Sequence, residues 1–366
     1  MHVYLHVPFC ARRCSYCDFA IAVRREVPTA AYVRAVLREW GQWQRHESWA
    51  GAEVVDTIYF GGGTPSRLDP RGIAAVLEQV ARDRRVSAGA EVTLEANPED
   101  VTPARAAEWA AAGVNRVSLG AQSFDPGVLA WMHRTHTPAQ TAAAVDTLRT
   151  AGIPRLSLDL IFGLPAALER EWPADLARAI ALDPDHLSLY GLTVEERTPL
   201  ARWTARGEVV PVDEERYAAE FLAADAVLGA AGYEHYEVSN YARPGQRAVH
   251  NTAYWRRARF IGLGPSAHSG WGRERRWNLR EWSAYERAME AGDSPVAGSE
   301  VLDDDATELE ALYLGLRTRE GVTADRLPPG TLAAWRSSGW AHEVGGRVRL
   351  SPEGWLRLDA LAAAVS

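Results

Sequence analysis

His2-Val-Tyr-Leu-His-Val7-Pro-Phe-Cys10-Ala-Arg-Arg-Cys14-Ser-Tyr-Cys17 opens with a short apolar run and passes directly into a loop that holds every cysteine of the 366-residue chain. The run from His2 to Val7 reads as a strand, and a ligand-bearing loop at a strand's C-terminal end is the usual arrangement in βα folds. Thr29 to Arg45 follows with apolar residues at Tyr32, Val33, Val36, Leu37 and Trp40, the spacing of one helix face. The chain begins as strand, loop, helix.

That unit recurs. Val54 to Phe60 reads as a buried strand ending in Gly61-Gly62-Gly63-Thr64-Pro65, with a helix over Pro70 to Arg82. Glu91 to Glu95 leads into Asn97-Pro98 and a helix from Pro103 to Ala112. Arg116 to Leu119 ends in Gly120-Ala-Gln122 before a helical stretch closing near Gly152. Leu156 to Ile161 ends in Phe162-Gly-Leu-Pro165 before a helix over Glu171 to Leu182, and His186 to Tyr190 is the sixth strand. Strands alternating with helices predict parallel βα units. The expected fold is α/β, a partial (β/α)6 barrel over residues 1–230. An open doubly wound sheet is the other architecture the pattern admits.

From about Val194 the pattern changes. A connecting segment, 231–300, carries His250-Asn251-Thr-Ala-Tyr254-Trp255. The charged run Asp303-Asp304-Asp305 opens a third unit, 301–366, with helical stretches at Thr307 to Arg317, Ala324 to Leu327 and Thr331 to Ser338. Gly345-Gly346 between alternating segments is a hairpin signal, so this unit reads as winged-helix-like. Such shapes often bind DNA, but the unit has no concentrated basic helix and the net charge is −8, so no nucleic-acid partner is expected.

With 47% hydrophobic and 24% charged residues the composition is that of a soluble globular protein. No apolar run reaches the length of a membrane span and no signal peptide precedes the first strand. A reducing cytoplasm, where thiolates stay available to metal, is the expected compartment. Composition leaves peripheral membrane contact and a homodimer open.

Cys10, Cys14 and Cys17 can hold three corners of a [4Fe–4S] cube and leave the fourth iron open. A structural zinc site is the alternative, but it wants four ligands, and the fourth would have to come from His6 or further away. A disulfide framework fits poorly, since one cysteine is left over and a chain this long builds its own core.

The CxxxCxxC spacing resembles that of radical S-adenosylmethionine (SAM) enzymes. Tyr4-Leu-His6-Val-Pro-Phe-Cys10 and Tyr16-Cys17-Asp18-Phe19 resemble the coproporphyrinogen dehydrogenase (HemN) and HemW group of that superfamily. The resemblance implies a partial barrel. It also implies a [4Fe–4S] cluster whose open iron binds the amino and carboxylate groups of SAM, and reductive cleavage of SAM to a 5′-deoxyadenosyl radical.

The remaining site residues are weak signals singly. Gly61-Gly62-Gly63 after a strand lets backbone approach a ligand, and it is no Walker loop because the Gly-Lys-Ser/Thr ending is missing. Glu95 at a strand end could accept from ribose hydroxyls, although a solvated strand-end charge explains it equally. Gln122, Arg134 and Asp159 follow in order. The resemblance implies that Tyr4, Tyr16, Gly62 and Glu95 serve the cluster-bound SAM. Gly63, Thr64, Gln122, Arg134 and Asp159 match positions around a second SAM in the dehydrogenases.

Two departures from the dehydrogenase pattern matter. Phe19 stands where those enzymes have a further cysteine, and the motif begins at residue 10 with no long arm before it. Both match the HemW branch, whose members are haem chaperones. His250, in the HNxxYW stretch, is a candidate haem-iron ligand, and His268 is a second. The resemblance therefore implies haem binding and transfer to apo-haemoproteins, such as respiratory-chain components, with an external electron donor for the cluster. The alternative is oxygen-independent oxidative decarboxylation of coproporphyrinogen III.

Overall fold

The computed structural model describes residues 1–46 and 54–365. Six parallel strands build the barrel wall: β1 (His2–Val7), β2 (Val54–Gly62), β3 (Arg85–Ala96), β4 (Arg116–Gln122), β5 (Arg155–Phe162) and β6 (His186–Gly191). Neighbours in sequence are neighbours in space, β1 to β6 in unbroken order. A doubly wound sheet reverses its strand order at a switch point. These six never do, and the architecture is the partial barrel.

The wall is wider than six strands. β7 (Glu234–Glu237) and β8 (Asn240–Ala242) join the β6 edge in antiparallel fashion. β9 (Phe260–Leu263) lies parallel to β1, and β10 (His268–Trp271), β11 (Glu274–Asn278) and β12 (Val296–Val301) continue outward antiparallel. The twelve strands form one sheet in the order β12-β11-β10-β9-β1-β2-β3-β4-β5-β6-β8-β7. The segment after residue 230 therefore extends both edges of the barrel sheet.

Helices return the chain between the parallel strands, at Thr29–Trp43, Pro70–Asp83, Pro103–Ala112, Pro138–Thr150 and Trp172–Ala181. Most start at a proline behind a capping side chain. Asp69 accepts from the Arg71 amide, Thr102 from Arg105, and Thr137 with Gln140 forms a reciprocal capping box. Each such cap contributes on the order of 1 kcal/mol. The box at Thr137 also explains why the single helical stretch expected before Gly152 is two helices, Pro126–Trp131 and Pro138–Thr150. The chain must leave the first before it can be capped into the second.

One large cluster holds most of the core, with a smaller one at Val128, Met132, Ile161 and Leu164. Leu5, Phe60, Leu94, Val117, Leu158 and Leu187 of the six strands pack in one buried cluster with Trp40, Trp109 and Leu176 of the helices. Leu312, Leu316, Trp335 and Trp355 of the C-terminal unit belong to the same cluster. That unit has helix Asp304–Leu316, a short turn at Ala324–Arg326, helix Thr331–Ser337 and a three-stranded sheet closed by the hairpin Ala341–Val344 and Arg347–Leu350. Gly345 and Gly346 both take positive φ, 59° and 73°, as a tight two-residue hairpin requires.

A cysteine-lined cavity at the mouth of the barrel

The loop after β1 and the C-terminal ends of β2 to β6 enclose a cavity of about 460 Å³. Cys10, Cys14, Tyr16, Cys17, Gly62, Gly63, Thr64, Glu95, Gln122, Arg134 and Asp159 all line it. Residues scattered over 150 positions of sequence meet here because each follows or ends a parallel strand, which puts them on one face.

The glycine run holds the cysteine loop in place. β2 extends through Gly62, past the end expected at Phe60, because Gly61 and Gly62 pair with His6 and Val7 of β1. Gly62 has φ +113°, and a Cβ there would come within 2.7 Å of the His6 ring. At Gly63 a Cβ would sit 2.8 Å from the Pro8 carbonyl carbon and 3.0 Å from Cys10 Sγ. Thr64 Oγ1 donates to Cys10 Sγ at 3.3 Å. Two of the three glycines are thus needed for the close approach of strand and cysteine loop.

Two carboxylates line the wall beside the glycine run. Glu95 accepts from Tyr59 Oη (2.8 Å) and from the Gly62 amide (2.9 Å). Burial pushes its carboxyl up to about 7, against the pull of those two hydrogen bonds, with the neighbouring Asp159 charge adding to the rise. Burial raises Asp159 to about 6, while hydrogen bonds from Ser188 and Ser118 hold it down. Ser118 Oγ lies 2.9 Å from one Asp159 oxygen.

Arg134 brings the cation. Its Nη2 donates to Asn97 Oδ1 (2.6 Å) and to the Gly120 carbonyl (3.0 Å), and Nη1 lies 3.9 Å from Cys14 Sγ. Its buried Nε has no hydrogen-bond partner among the described residues. A buried guanidinium with a spare donor beside a thiol suits an anionic group brought in from outside. Burial raises Cys10 and pushes Cys17 up to about 11, so metal must displace protons to bind there.

The three thiols, the space kept clear by Gly63 and the orphaned Arg134 donor fit an iron–sulfur cluster with a carboxylate-bearing ligand on its open side. Among the described residues no three His, Cys, Asp or Glu side chains close on a single-ion position.

Three sequence candidates lie elsewhere. Tyr4 does not line the cysteine cavity but sits one ring behind its wall, stacked on Tyr59 at 6.0 Å with Oη 3.1 Å from His6 Nδ1. His250 is 1% exposed, inside the barrel. Its Nδ1 shares a hydrogen bond with Thr57 Oγ1 at 2.6 Å and its Nε2 with Tyr254 Oη at 2.8 Å. Burial lowers its pKa to about 3. With both ring nitrogens engaged, His250 in this conformation has none to offer a haem iron. His268 is exposed, on β10, in a second cavity with Tyr4, His6 and Phe19.

Several participants escaped the sequence reading. Asn97 reads in sequence only as a turn residue, yet it orients Arg134. Tyr59, Ser118 and Tyr190 read as strand residues, yet the first two hold the carboxylates and the third lines the cavity. Alternation along a known barrel strand would have found Ser118 and Tyr59, since each points inward from its strand.

The Radical SAM superfamily pattern matches residues 4–179, which carry the six-strand wall through β5 and its helix. A Mycobacterium tuberculosis protein named heme chaperone HemW is 38% identical over 98% of this chain and 93% of its own length. A Bos taurus protein, radical S-adenosyl methionine domain-containing protein 1, mitochondrial, is 36% identical over 98% of this chain and 82% of its own. Among solved structures, that of coproporphyrinogen III oxidase (HemN) from Escherichia coli superposes with a TM-score of 0.81 at 20% identity, covering 99% of this chain and 89% of the other. The last likeness establishes the fold alone, while the near full-length identities are what place the sequence: the chain belongs to the HemW family of radical SAM proteins.

Proposed function

We propose that the chain is a haem chaperone that binds haem and passes it to apo-haemoproteins, respiratory-chain components among them. The observation that carries this reading is the near full-length match to the mycobacterial protein of that name. Phe19, standing where the dehydrogenases have a further cysteine, supports it.

Cys10, Cys14 and Cys17 would hold a [4Fe–4S] cluster. Such a cluster supplies an electron to a SAM bound at its open iron. Around it the chain's own residues bind and orient. Glu95 offers a carboxylate to hydroxyl groups, and Gly62 and Gly63 let a ligand approach the backbone. Arg134 neutralises negative charge beside Cys14, Thr64 donates to Cys10, and Tyr16 packs the cysteine loop onto Val128, Met132, Ile161 and Leu164. Gln122 and Asp159 complete the polar wall and, with Gly63, Thr64 and Arg134, are the residues to which a second SAM would answer. Tyr4 serves through His6, which it holds by hydrogen bond. An external electron donor, a cytoplasmic location and the absence of a nucleic-acid partner go with this reading. No helix among the described residues is long and apolar enough to cross a membrane. Functionally the chain divides at about residues 230 and 300, into the barrel, its connecting segment and the winged unit.

The test is a haem titration run beside a dehydrogenase assay on one anaerobically reconstituted sample. A Soret shift on haem addition with no decarboxylation of coproporphyrinogen III is the expected result. Conversion of coproporphyrinogen III with SAM and reductant, or no Soret shift, would overturn it.

A further inference from the structure

The cysteine loop separates two cavities. Cys17, Phe19 and Ile21 line the cluster cavity. Asp18, Phe19 and Ala20 line a shallower neighbour of about 400 Å³. Phe19 belongs to both, and it is 60% exposed. Its ring is placed to touch a ligand in either cavity.

The far wall of the second cavity has the chemistry to say which ligand. Tyr254 and Phe260 bring aromatic rings, packed edge to face with centroids 4.7 Å apart. His268 presents an exposed imidazole that makes no side-chain hydrogen bond among the described residues and stacks on Trp277 at 6.2 Å. Arg280 spends one donor on the Asp18 carbonyl at 3.0 Å, which leaves the rest of its fork for a carboxylate. Aromatic walls, an unengaged imidazole and a guanidinium match a flat apolar macrocycle with a metal at its centre and carboxylates at its edge.

We propose, resting on the haem reading above, that this second cavity is the haem seat: His268 ligates the iron, Phe19 and Phe260 bear on the macrocycle, and Arg280 receives a propionate. Partial burial favours the neutral imidazole, the form that binds metal. The cavity is open on one side, so a recipient protein can reach the bound haem. Because Phe19 and the Arg280–Asp18 contact tie the seat to the cysteine loop, a ligand that moves that loop changes haem affinity, and haem changes affinity for that ligand by the same factor.

The test titrates haem into the full reconstituted chain and into His268→Gly, His268→Gln and Arg280→Gln, reading the Soret band and the electron paramagnetic resonance of ferric haem. Wild type should show a histidine-ligated spectrum. Both His268 variants should lose it and weaken binding by at least about tenfold, the floor for losing even a supporting contact at a bound metal. Added imidazole should restore the spectrum of His268→Gly, which a misfolded protein could not do. Arg280→Gln should weaken binding with the ligation spectrum intact. If wild type binds haem and the His268 variants bind it with the same spectrum and affinity, the seat is elsewhere and the chaperone reading stands. If wild type binds no haem, the chaperone reading falls and this proposal with it.

Discussion

Glu95 shows how one side chain is set by three neighbours. Tyr59 and the Gly62 amide both donate to it while burial drives its carboxyl to about 7. Removing it strands two donors, one of them the backbone that seats the cysteine loop. Glu95→Ala should lower stability by about 1–3 kcal/mol, measured by urea denaturation, and weaken SAM binding to the reconstituted protein by calorimetry. Gly62→Ala should act on the same loop by another route. The residue is left-handed and its new Cβ meets the His6 ring, so a cost of about 1–3 kcal/mol is expected. Lower iron retention after reconstitution should accompany it. Each cysteine replaced by serine should remove the visible absorbance of the reconstituted cluster and leave the far-ultraviolet circular dichroism unchanged.

At the scale of elements, the extra strands on the β1 edge of the sheet share one buried carboxylate. Glu39, on helix Thr29–Trp43, accepts from Tyr285 Oη (2.6 Å), the Gly264 amide (2.8 Å) and Asn278 Nδ2 (2.7 Å). It ties the first helix to β11, to the β9–β10 turn and to helix Trp282–Ala291. Burial nonetheless raises its carboxyl to about 7. A carboxyl raised in the fold gives stability that is full below its unfolded value and is lost as pH rises through the folded one. The wild type should therefore lose stability relative to Glu39→Gln between about pH 4.5 and 7. The loss should total on the order of 3 kcal/mol, read from denaturant midpoints across that range. A gap that widens in the other direction would show that the three donors outweigh burial. These strands were also the hardest to read in sequence. Glu274–Asn278 has two arginines and little burial, and it is held by its neighbours rather than by its own periodicity. The six parallel strands were legible because strands covered on both faces are apolar runs that stop at Gly or Pro.

For the molecule as a whole, one hydrophobic cluster spans barrel and winged unit. Buried Glu237 pairs with Arg317 at 2.9 Å, and the His235 ring packs on Trp355 with centroids 4.3 Å apart. Chemical unfolding should therefore give one transition, with fluorescence and circular dichroism coincident; two separated transitions would show that the units fold apart. The site was legible in proportion to its covalent pattern. CxxxCxxC and the strand-end residues pointed to one cavity, and they meet in one. At His250 both ring nitrogens find partners in the core, which sequence spacing does not tell. Haem delivery is tested most directly by loading the reconstituted protein with haem, mixing it with an apo-haemoprotein and following the recipient's Soret band. Transfer should be faster than from free haem, with the donor's band falling as the recipient's rises. Haem that stays on the donor, or a recipient filled no faster than by free haem, would contradict it.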